Sequence, residues 1–472
     1  MKINSFTCLV NLQIVLLLLL VQASHSSCQA DNSDNFSALE EQLKVSTSAL
    51  TGKKVFAHYM VCCPTKGGAS SVDDYKNEII EAQRRGIDGF ALNCGGWQKT
   101  EPHYKERAFL IYEAALQLGT GFELFISADG AALHEVEDIL NSLKEHPNQF
   151  RFKGKPVLST FGGEGENNLF GRALTEQVHQ LGGIFVPYFY PQPNITEHPQ
   201  KLHAEQLLRS FPDVDGFFYY GAAGNGDQIS HSNSVLAKAF LGAGKLYMAS
   251  ITPYYRGNGG NFRLFETRGF EAMAKEWEGA IRDDVPWVEL VTWNDWNESS
   301  YLAPFGLAKD TELWDGHFGT MMLSHVAYLD ASRYYIDWFK KGTPPAIQED
   351  KLYYFYRLHP KQLPVTVNAR DEAFGKAHPG GAEALLDHVF VTLFLTKPAQ
   401  LIISSGHKKR TFYLQAGVNH VSMPFGVGRQ KFTLVRNEKV LIEKYGEHPI
   451  SKYDGKSRFN YFGGSAVANS AH

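Results

Sequence analysis

The sequence predicts an α/β fold: a (β/α)8 TIM barrel followed by a C-terminal all-β sandwich domain. From residue 53 onward, eight short apolar runs rich in β-branched and aromatic residues alternate with longer stretches of helical period. After residue 348 the alternation stops, and short strand-like runs separated by Gly, Asn and Lys follow. Strands that alternate with helices favour a parallel sheet, and eight such units match a (β/α)8 barrel in number and in length.

The barrel prediction depends on eight strands and the helices between them. The predicted strands cover 54–61, 86–94, 122–127, 155–161, 183–190, 214–220, 245–252 and 286–293. The clearest helix has Leu133, Val136, Ile139, Leu140 and Leu143 on one face. The other helices are predicted over about 73–85, 104–118, 171–181, 200–210, 231–241 and 270–282, with a last one over 325–342. A doubly wound open sheet is the alternative, but no Gly-rich phosphate loop opens the first helix.

Five segments are predicted along the chain. They are a signal peptide (1–26), an N-terminal linker (27–52), the catalytic barrel (53–348), a β-sandwich accessory domain (349–455) and a flexible tail (456–472). The sandwich is predicted from seven alternating runs. The tail is predicted to be flexible because it is rich in Gly, Ala, Ser and Asn.

The first residues have the layout of a secretory signal peptide. Lys2 precedes an apolar run over 14–21 that is too short to span a bilayer, and small residues follow it. The mature protein is therefore predicted to be extracellular, or periplasmic if the host is Gram-negative. A lipid-modified Cys28 is an alternative, which the polar His25 disfavours.

Composition limits the partners that the chain can be expected to have. Its 472 residues carry a formal net charge of −4, which gives no electrostatic reason to expect a nucleic acid. No membrane partner is predicted after signal removal, and the sequence does not indicate an oligomeric state. No CxxC or His-x-His pairing accompanies the cysteines, so neither a metal nor another cofactor is predicted.

A disulfide is predicted among the cysteines, as is usual in a secreted protein. Cys62 and Cys63 close the first predicted strand and Cys94 closes the second. A bridge from Cys94 to one of the other two therefore fits the predicted topology. Free buried thiols are the alternative.

Polar and aromatic residues gather at the C-terminal ends of the predicted strands, where barrel enzymes carry their active sites. The candidate substrate-binding residues are His58, Asn93, Trp97, Asp129, Tyr190, Tyr219, Tyr254, Trp293, Asn294 and Tyr301. The strand beginnings hold Lys, Gly and Pro instead, which are typical of turns. This asymmetry predicts an enzyme whose site lies at one end of the barrel.

Some of these polar residues also have a purely structural explanation. Asp129 lies in "SADG", which is also a plausible simple turn. His58 is alternatively a core histidine with satisfied hydrogen bonds. Glu164 and Glu166, in a Gly-rich loop after the fourth strand, are either close to the site or solvated surface.

Asp295 and Glu298 are the predicted catalytic residues. The strand ends hold no His cluster, no Cys–His pair and no Gly-x-Ser-x-Gly elbow, which leaves carboxylates and aromatics, the groups that glycoside hydrolysis uses. Two acids in a partly desolvated pocket repel each other's charge, so one is expected to keep its proton near neutral pH. Alternatively, Asp295 caps a helix that begins near Trp296. The spacing of the acids does not fix the stereochemical outcome.

Four stretches resemble glycoside hydrolase family 71, the α-1,3-glucanases or mutanases. They are "VFAHYMV", "GIDGFALNCGGW", "KPVLSTFGGE" and "VTWNDWNESSYLAP". The resemblance implies a (β/α)8 barrel with a β-sandwich, and hydrolysis of α-1,3-glucan with inversion and without a metal. It also implies that the two acids of the family motif are Asp295 and Glu298. The chain departs from the family pattern at Trp296 and Asn297, at Ser300, where the family has a histidine, and in "CCPTKGG" after the first strand.

The sequence therefore predicts a secreted, endo-acting glycoside hydrolase of α-1,3-glucan whose partner is this polysaccharide. One alternative is a hydrolase of another α-linked polysaccharide, such as α-mannan, on the same scaffold. A second is a catalytically inactive carbohydrate-binding protein. The sandwich is expected either to bind glucan or to pack on the barrel and brace its last helix.

Overall fold

A computed structural model describes residues 52–99, 103–130, 132–161, 168–189, 197–257, 259–305, 322–364, 378–452 and 459–468. The predicted signal peptide, Cys28, nearly all of the predicted linker, and both Glu164 and Glu166 lie outside these residues. Among the described helices, none is long and apolar enough to cross a membrane.

The N-terminal part of the fold is built on one curled, mainly parallel sheet. Its strands are β1 (Lys54–Met60), β2 (Gly89–Cys94), β3 (Glu123–Asp129), β4 (Arg151–Phe152), β5 (Lys155–Phe161), β6 (Ile184–Phe185), β7 (Gly216–Phe218), β8 (Leu246–Ile251) and β9 (Trp287–Leu290). The parallel strands run in the order β7-β8-β9-β1-β2-β3-β5-β6, and β4 is antiparallel to β5. Each parallel strand matches one of the eight predicted strands.

The two outermost parallel strands of this order also meet through backbone hydrogen bonds. Asp215 N–H donates to the carbonyl of Phe185 (3.1 Å), and Phe218 N–H donates to that of Pro187 (2.9 Å). The predicted strand over 183–190 is regular only in β6, because Pro187 has no N–H with which to continue a ladder.

Helices connect the parallel strands. They are α1 (Val72–Gln83), α2 (Tyr104–Leu118), α3 (Leu133–Leu143), α4 (Asn168–Gln180), α5 (Lys201–Ser210), α6 (Gly226–Gly242), α7 (Phe270–Arg282) and, after β9, α8 (Val326–Lys341). Each of them matches a predicted helix. In α3 the expected apolar face is confirmed: Val136, Ile139, Leu140 and Leu143 are buried in the core, and Leu133 is partly buried against it. At the start of α1, Ser71 and Asp74 form a capping box.

Two antiparallel sheets follow α8. Their strands are β10 (Lys351–Arg357), β11 (His388–Leu395), β12 (Ala399–Ser405), β13 (Lys408–Leu414), β14 (Gly417–Pro424), β15 (Gln430–Arg436), β16 (Lys439–Tyr445) and β17 (Tyr461–Val467). The first sheet has the order β14-β11-β10-β17 and the second β13-β12-β15-β16.

Strand β10 is buried on both faces, which explains its nearly continuous aromatic sequence. Alternate side chains of a strand point to opposite faces. Tyr354 packs against Phe432 of the second sheet, with ring centroids 4.4 Å apart. On the opposite face, Phe355 packs against Tyr328 of α8 at 4.3 Å. The first antiparallel sheet therefore lies between the second sheet and the helical layer.

The prediction of a flexible tail over 456–472 is wrong for β17. This strand pairs with all seven residues of β10, from Lys351 opposite Val467 to Arg357 opposite Tyr461. Glycines are needed in β17 because side chains of neighbouring elements lie close to its backbone. A Cβ at Gly464 would lie 2.5 Å from ring atoms of Tyr354. The glycines that suggest mobility in the sequence are thus needed for close packing. The all-β part of the fold extends beyond the predicted boundary at 455.

Candidate active site

The segment that follows β9, residues 292–301, carries both candidate acids and is called the acid segment here. Trp293 N–H donates to the carbonyl of His58 in β1 (2.7 Å), which ties the segment to the end of a neighbouring strand. Asp295 N–H donates to Thr292 Oγ1 (2.9 Å). Glu298 N–H donates in turn to Asp295 Oδ1 (3.0 Å). The hydrogen bond that a capping role for Asp295 requires is therefore present, but a single turn, not a helix, follows it.

Asp295 and Glu298 line one cavity, called the main cavity, with a volume of about 330 Å3. Its other lining residues come from strand ends and the loops after them: His58, Met60, Cys62, Cys63, Asn93, Asp129, Phe161, Tyr220, Asn294, Trp296 and Asn297. The size is typical of sites that bind small ligands or single sugar units of a chain. Asp295 thus both caps the turn that follows it and lines the main cavity.

A smaller side cavity of about 130 Å3 adjoins the main cavity. The two share Phe161, Tyr220 and Glu298 as lining residues. On the far side lie Tyr255 and the ion pair between Arg263 and Glu197. Glu298 therefore lies at the boundary between the two cavities, which together form one cleft.

The surroundings of Glu298 favour its protonated form. Burial, and then the charge of Asp295, raise the pKa of Glu298 to about 8. Tyr255 OH donates to Glu298 Oε1 (2.9 Å), which opposes this rise, as does the positive charge of Arg263. At neutral pH the Glu298 carboxyl is therefore mostly protonated.

Asp295 has more groups that stabilise its charge. Burial raises its pKa above the ordinary aspartate value. The backbone N–H groups of Glu298 and Asn297 donate to its carboxylate and, with the nearby His58, oppose that rise. Of the two acids, Asp295 is thus the better suited to carry the negative charge of the pair.

Asn294 fixes the acid segment against the loop after β1. Its Oδ1 accepts from Met60 N–H (2.7 Å), and its Nδ2 donates to the carbonyls of Met60 (3.0 Å) and Cys63 (2.8 Å). Trp296 Nε1 donates to the same Cys63 carbonyl (2.8 Å). The positions of both acids therefore depend on the conformation of residues 60–63.

The predicted disulfide to Cys94 is wrong. Cys62 and Cys63 are bonded to each other, and Cys94 is a buried thiol. Strand alternation gives the reason, because Asn93 faces the main cavity and the next residue of β2 must point to the opposite face. Burial accordingly raises the pKa of the Cys94 thiol, whereas the disulfide of the adjacent pair lines the main cavity.

Four predicted substrate-binding residues line the main cavity: His58, Asn93, Asp129 and Asn294. Asp129 is more than a turn residue. Its carboxylate accepts a hydrogen bond from Asn93, and burial raises its pKa. Tyr190 lies outside the described residues. Among the described residues, no group of three or more His, Cys, Asp or Glu side chains is placed to hold a metal ion.

Five other predicted substrate-binding residues line neither cavity. Their polar atoms are used elsewhere: Trp97 Nε1 donates to Asp138, Tyr219 OH to the Glu197 carbonyl, Tyr254 OH to the Phe459 carbonyl, Trp293 Nε1 to Glu78 and Tyr301 OH to the Leu323 carbonyl. All five are buried. In two cases the next residue in the sequence lines the cleft instead: Tyr220 in place of Tyr219, and Tyr255 in place of Tyr254.

Sequence reasoning also missed Phe161, Arg263 and Glu289. For Phe161 a signal was present, because it is an aromatic residue at the end of the fourth predicted strand. Glu289, a charged residue within the apolar run "WVEL", was a visible signal because a carboxylate inside a buried strand needs a partner. No feature of the sequence near Arg263 indicates that it lines the side cavity together with Glu298.

Comparison with known proteins identifies the family. The family model described as "Glycosyl hydrolase family 71" matches residues 51–472. A mutanase of Penicillium rubens is 28% identical over 446 residues, which cover 91% of each chain. A glucan endo-1,3-alpha-glucosidase of Schizosaccharomyces pombe is 26% identical over 430 residues, covering 87% of this chain and 93% of that protein.

One solved structure shows a looser likeness. The GH99 endo-alpha-mannosidase from Bacteroides thetaiotaomicron is 13% identical, with a TM-score of 0.47 over 62% of this chain and 98% of that one. A superposition this loose carries no information about the reaction. With a family match from residue 51 to the last residue and two acids lining one cavity, the chain belongs to glycosyl hydrolase family 71 and is a glycoside hydrolase.

Proposed function

We propose that this chain is a secreted, endo-acting hydrolase of α-1,3-glucan that inverts the anomeric configuration and uses Asp295 and Glu298 as its catalytic pair. The observation that carries the proposal is that both carboxyl groups line one cavity and differ in what stabilises them. The substrate is supported by the names of the relatives, a mutanase and a glucan endo-1,3-alpha-glucosidase. Inversion rests on the family resemblance, and secretion on residues 1–26.

The environments of the two acids suggest their roles. Glu298, whose pKa is raised to about 8, is the general acid that protonates the glycosidic oxygen. Asp295, held as a carboxylate by two backbone N–H groups, is the general base that takes a proton from the attacking water. Bond cleavage then leaves one hydroxyl on each product, with the water oxygen on the anomeric carbon.

The scaffold of the proposed enzyme is a (β/α)8 barrel followed by a β-sandwich. Closure of the barrel is supported by the hydrogen bonds from Asp215 to Phe185 and from Phe218 to Pro187. The sandwich is supported by the core that the two antiparallel sheets share, which includes Tyr354 and Phe432. The packing of Phe355 on Tyr328 of α8 favours a bracing role for the sandwich.

Within the main cavity, His58, Asn93, Asp129 and Asn294 are the proposed contacts to sugar hydroxyls. Tyr220 offers an aromatic surface beside both acids for the C–H face of a sugar ring. The side cavity continues the cleft beyond Glu298, so that sugar units can lie on both sides of the scissile bond. Such a cleft supports cleavage within a chain.

Digestion of pure α-1,3-glucan tests the proposal directly. The expected products are α-1,3-linked oligosaccharides, and 1H NMR during the first minutes should show the new reducing ends in the β configuration. Newly formed α reducing ends would contradict inversion. Absence of products from α-1,3-glucan together with release from α-mannan would replace the substrate but keep the acid pair.

The pH dependence of activity follows from the protonation state of Glu298. Activity requires protonated Glu298, whose pKa is about 8. Activity should therefore be retained at pH values below this pKa and fall by about tenfold per pH unit above it. Tyr255→Phe removes a hydrogen bond that lowers this pKa, so its alkaline limb should lie at higher pH. Measurement of kcat/KM on soluble oligosaccharides between pH 4 and 10 checks both statements. An alkaline limb that Tyr255→Phe moves to lower pH would contradict the assignment.

Reduction of the Cys62–Cys63 disulfide should lower activity with little change in Tm. The bond joins adjacent residues and closes no loop of the chain, so it restricts the unfolded state very little. It does constrain the Cys63 carbonyl, which anchors Asn294 and Trp296 beside the acids. We expect kcat/KM to fall roughly 10-fold, as small displacements of catalytic groups do.

The measurement compares enzyme treated with a phosphine reductant and untreated enzyme, with mass spectrometry confirming the reduced thiols. A variant with both Cys62 and Cys63 replaced by serine is the control, because its activity should be low and insensitive to the reductant. Full activity of the reduced enzyme would show that the acid segment does not depend on this bond.

A further inference from the structure

A third buried acid, Glu289, lies in the strand that precedes the acid segment and has no role in the proposed reaction. Glu289 lies in β9 and His58 in the neighbouring strand β1, and both residues are fully buried, with 0% exposure. The distance between His58 Nδ1 and Glu289 Oε1 is 2.5 Å. The imidazole is thus held by a carboxylate from the same strand that leads into the acid segment.

The other ring nitrogen of His58 has no such partner. Among the described residues, neither His58 Nε2 nor Glu289 Oε2 has a hydrogen-bond partner. His58 lines the main cavity, where the ring of Tyr220 lies 5.1 Å from the imidazole. Besides Glu289, the acids Asp129 and Asp295 face the ring across this cavity, and a positive charge on the imidazole lowers their pKa values. A buried ring nitrogen without a partner, on a residue that lines a cavity, is suited to a group that the substrate supplies.

We propose that Glu289 is a positioning residue that holds the His58 imidazole so that Nε2 forms a hydrogen bond with a sugar hydroxyl bound next to Asp295. The inference rests on the proposed function and deepens it, because it assigns a contact to the sugar unit at the centre of the site. A carboxylate accepting from Nδ1–H fixes both the ring orientation and the tautomer. Either protonation state of Nε2 then suits a hydroxyl, which both donates and accepts hydrogen bonds.

A purely structural pair would behave differently. If Glu289 and His58 only joined β1 to β9, their replacement would lower stability and leave the kinetics of the folded enzyme unchanged. A positioning role instead predicts that Glu289→Gln raises KM and lowers kcat/KM by about 10- to 100-fold, because the ring loses its fixed orientation. His58→Ala should have an effect of similar size, and the double variant should be no worse than His58→Ala alone.

Glu276→Gln is a matched control. Glu276 is also a buried carboxylate, it accepts from Thr252 N–H (2.7 Å), and its Oε1 has no partner among the described residues. It lies in α7 and lines neither cavity. This variant should change kcat/KM by less than about twofold, whatever it does to Tm. Glu289→Asp should restore part of the activity, since it keeps the negative charge.

The experiment has two readouts. Steady-state kinetics on α-1,3-linked oligosaccharides compares the variants, and 15N NMR of the histidine rings reports the His58 tautomer in the free enzyme. We expect a protonated Nδ1 in the wild type. Unchanged kinetics in folded Glu289→Gln, additive effects of the two substitutions, or an unprotonated Nδ1 in the wild type would each overturn the proposal. If the wild type fails to cleave α-1,3-glucan, the proposed function fails, while the NMR result still tests whether Glu289 fixes the His58 tautomer.

Discussion

Asp295→Asn and Glu298→Gln are each expected to lower kcat by about 10²- to 10⁴-fold, which is the usual contribution of a general acid or base. Both substitutions keep the shape of the side chain. In Asp295→Asn the side-chain carbonyl would still accept the Glu298 N–H that the Asp295 carboxylate accepts at 3.0 Å, so the turn is preserved. Substrate binding should survive, because the lost function is proton transfer. Single-turnover and binding measurements on soluble α-1,3-linked oligosaccharides separate the two effects.

The matched control for the acid pair is Asp88→Asn. Asp88 precedes β2 at the opposite end of the sheet, where it accepts from Val55 N–H (2.8 Å) and Lys340 Nζ (2.6 Å). Its replacement should reduce Tm and leave kcat within about twofold. The double variant of Asp295 and Glu298 should be only slightly worse than the less active of the two single variants, because the two groups act as a unit. Wild-type kcat in either single variant would refute the assignment of the pair.

Deletion of residues 459–472 is expected to have the largest effect on stability. It removes β17, exposes one edge of β10 and leaves Tyr354 and Phe355 without the chain that covers them. It also removes the Phe459 carbonyl that accepts from Tyr254 OH (2.5 Å). We expect a loss of roughly 5 kcal/mol or more, and aggregation through the open strand edge.

The deletion is tested by soluble yield and by Tm from thermal unfolding. Removal of residues 469–472 alone is the control, because it leaves β17 complete and should not change Tm. A soluble variant lacking 459–472 with the Tm of the full chain would mean that β17 contributes little, despite its seven-residue ladder with β10.

The parts of the fold that were predicted correctly are those determined by local periodicity. The apolar face of α3 and the eight parallel strands are visible because each repeats within a short window of sequence. The prediction that Asp295 and Glu298 are the catalytic acids rests on their chemistry, since few other groups at the strand ends can break a glycosidic bond. The cavity that they share was the expected consequence of the topology.

The features that the sequence did not predict depend on which way a side chain points and on contacts between segments that are distant in the chain. Tyr219 and Tyr220 are the same residue type, and the sequence alone does not show which of these two neighbours, both just after β7, lines the cleft. Cys94 does not pair with Cys62 because strand alternation turns its side chain away from the main cavity. In the sequence, Gly464 suggests a flexible tail. The reason for a glycine there is the close approach of the Tyr354 ring, and Tyr354 is more than a hundred residues away in the chain.

The position of β17 has a consequence for the order in which the protein acquires its structure. During translation β17 leaves the ribosome after every other described strand, and more than a hundred residues after its partner β10. One edge of β10 therefore stays unpaired while the intervening residues are being made. A nascent chain stalled before residue 459 would already contain the acid segment but would still present an unpaired strand to other chains.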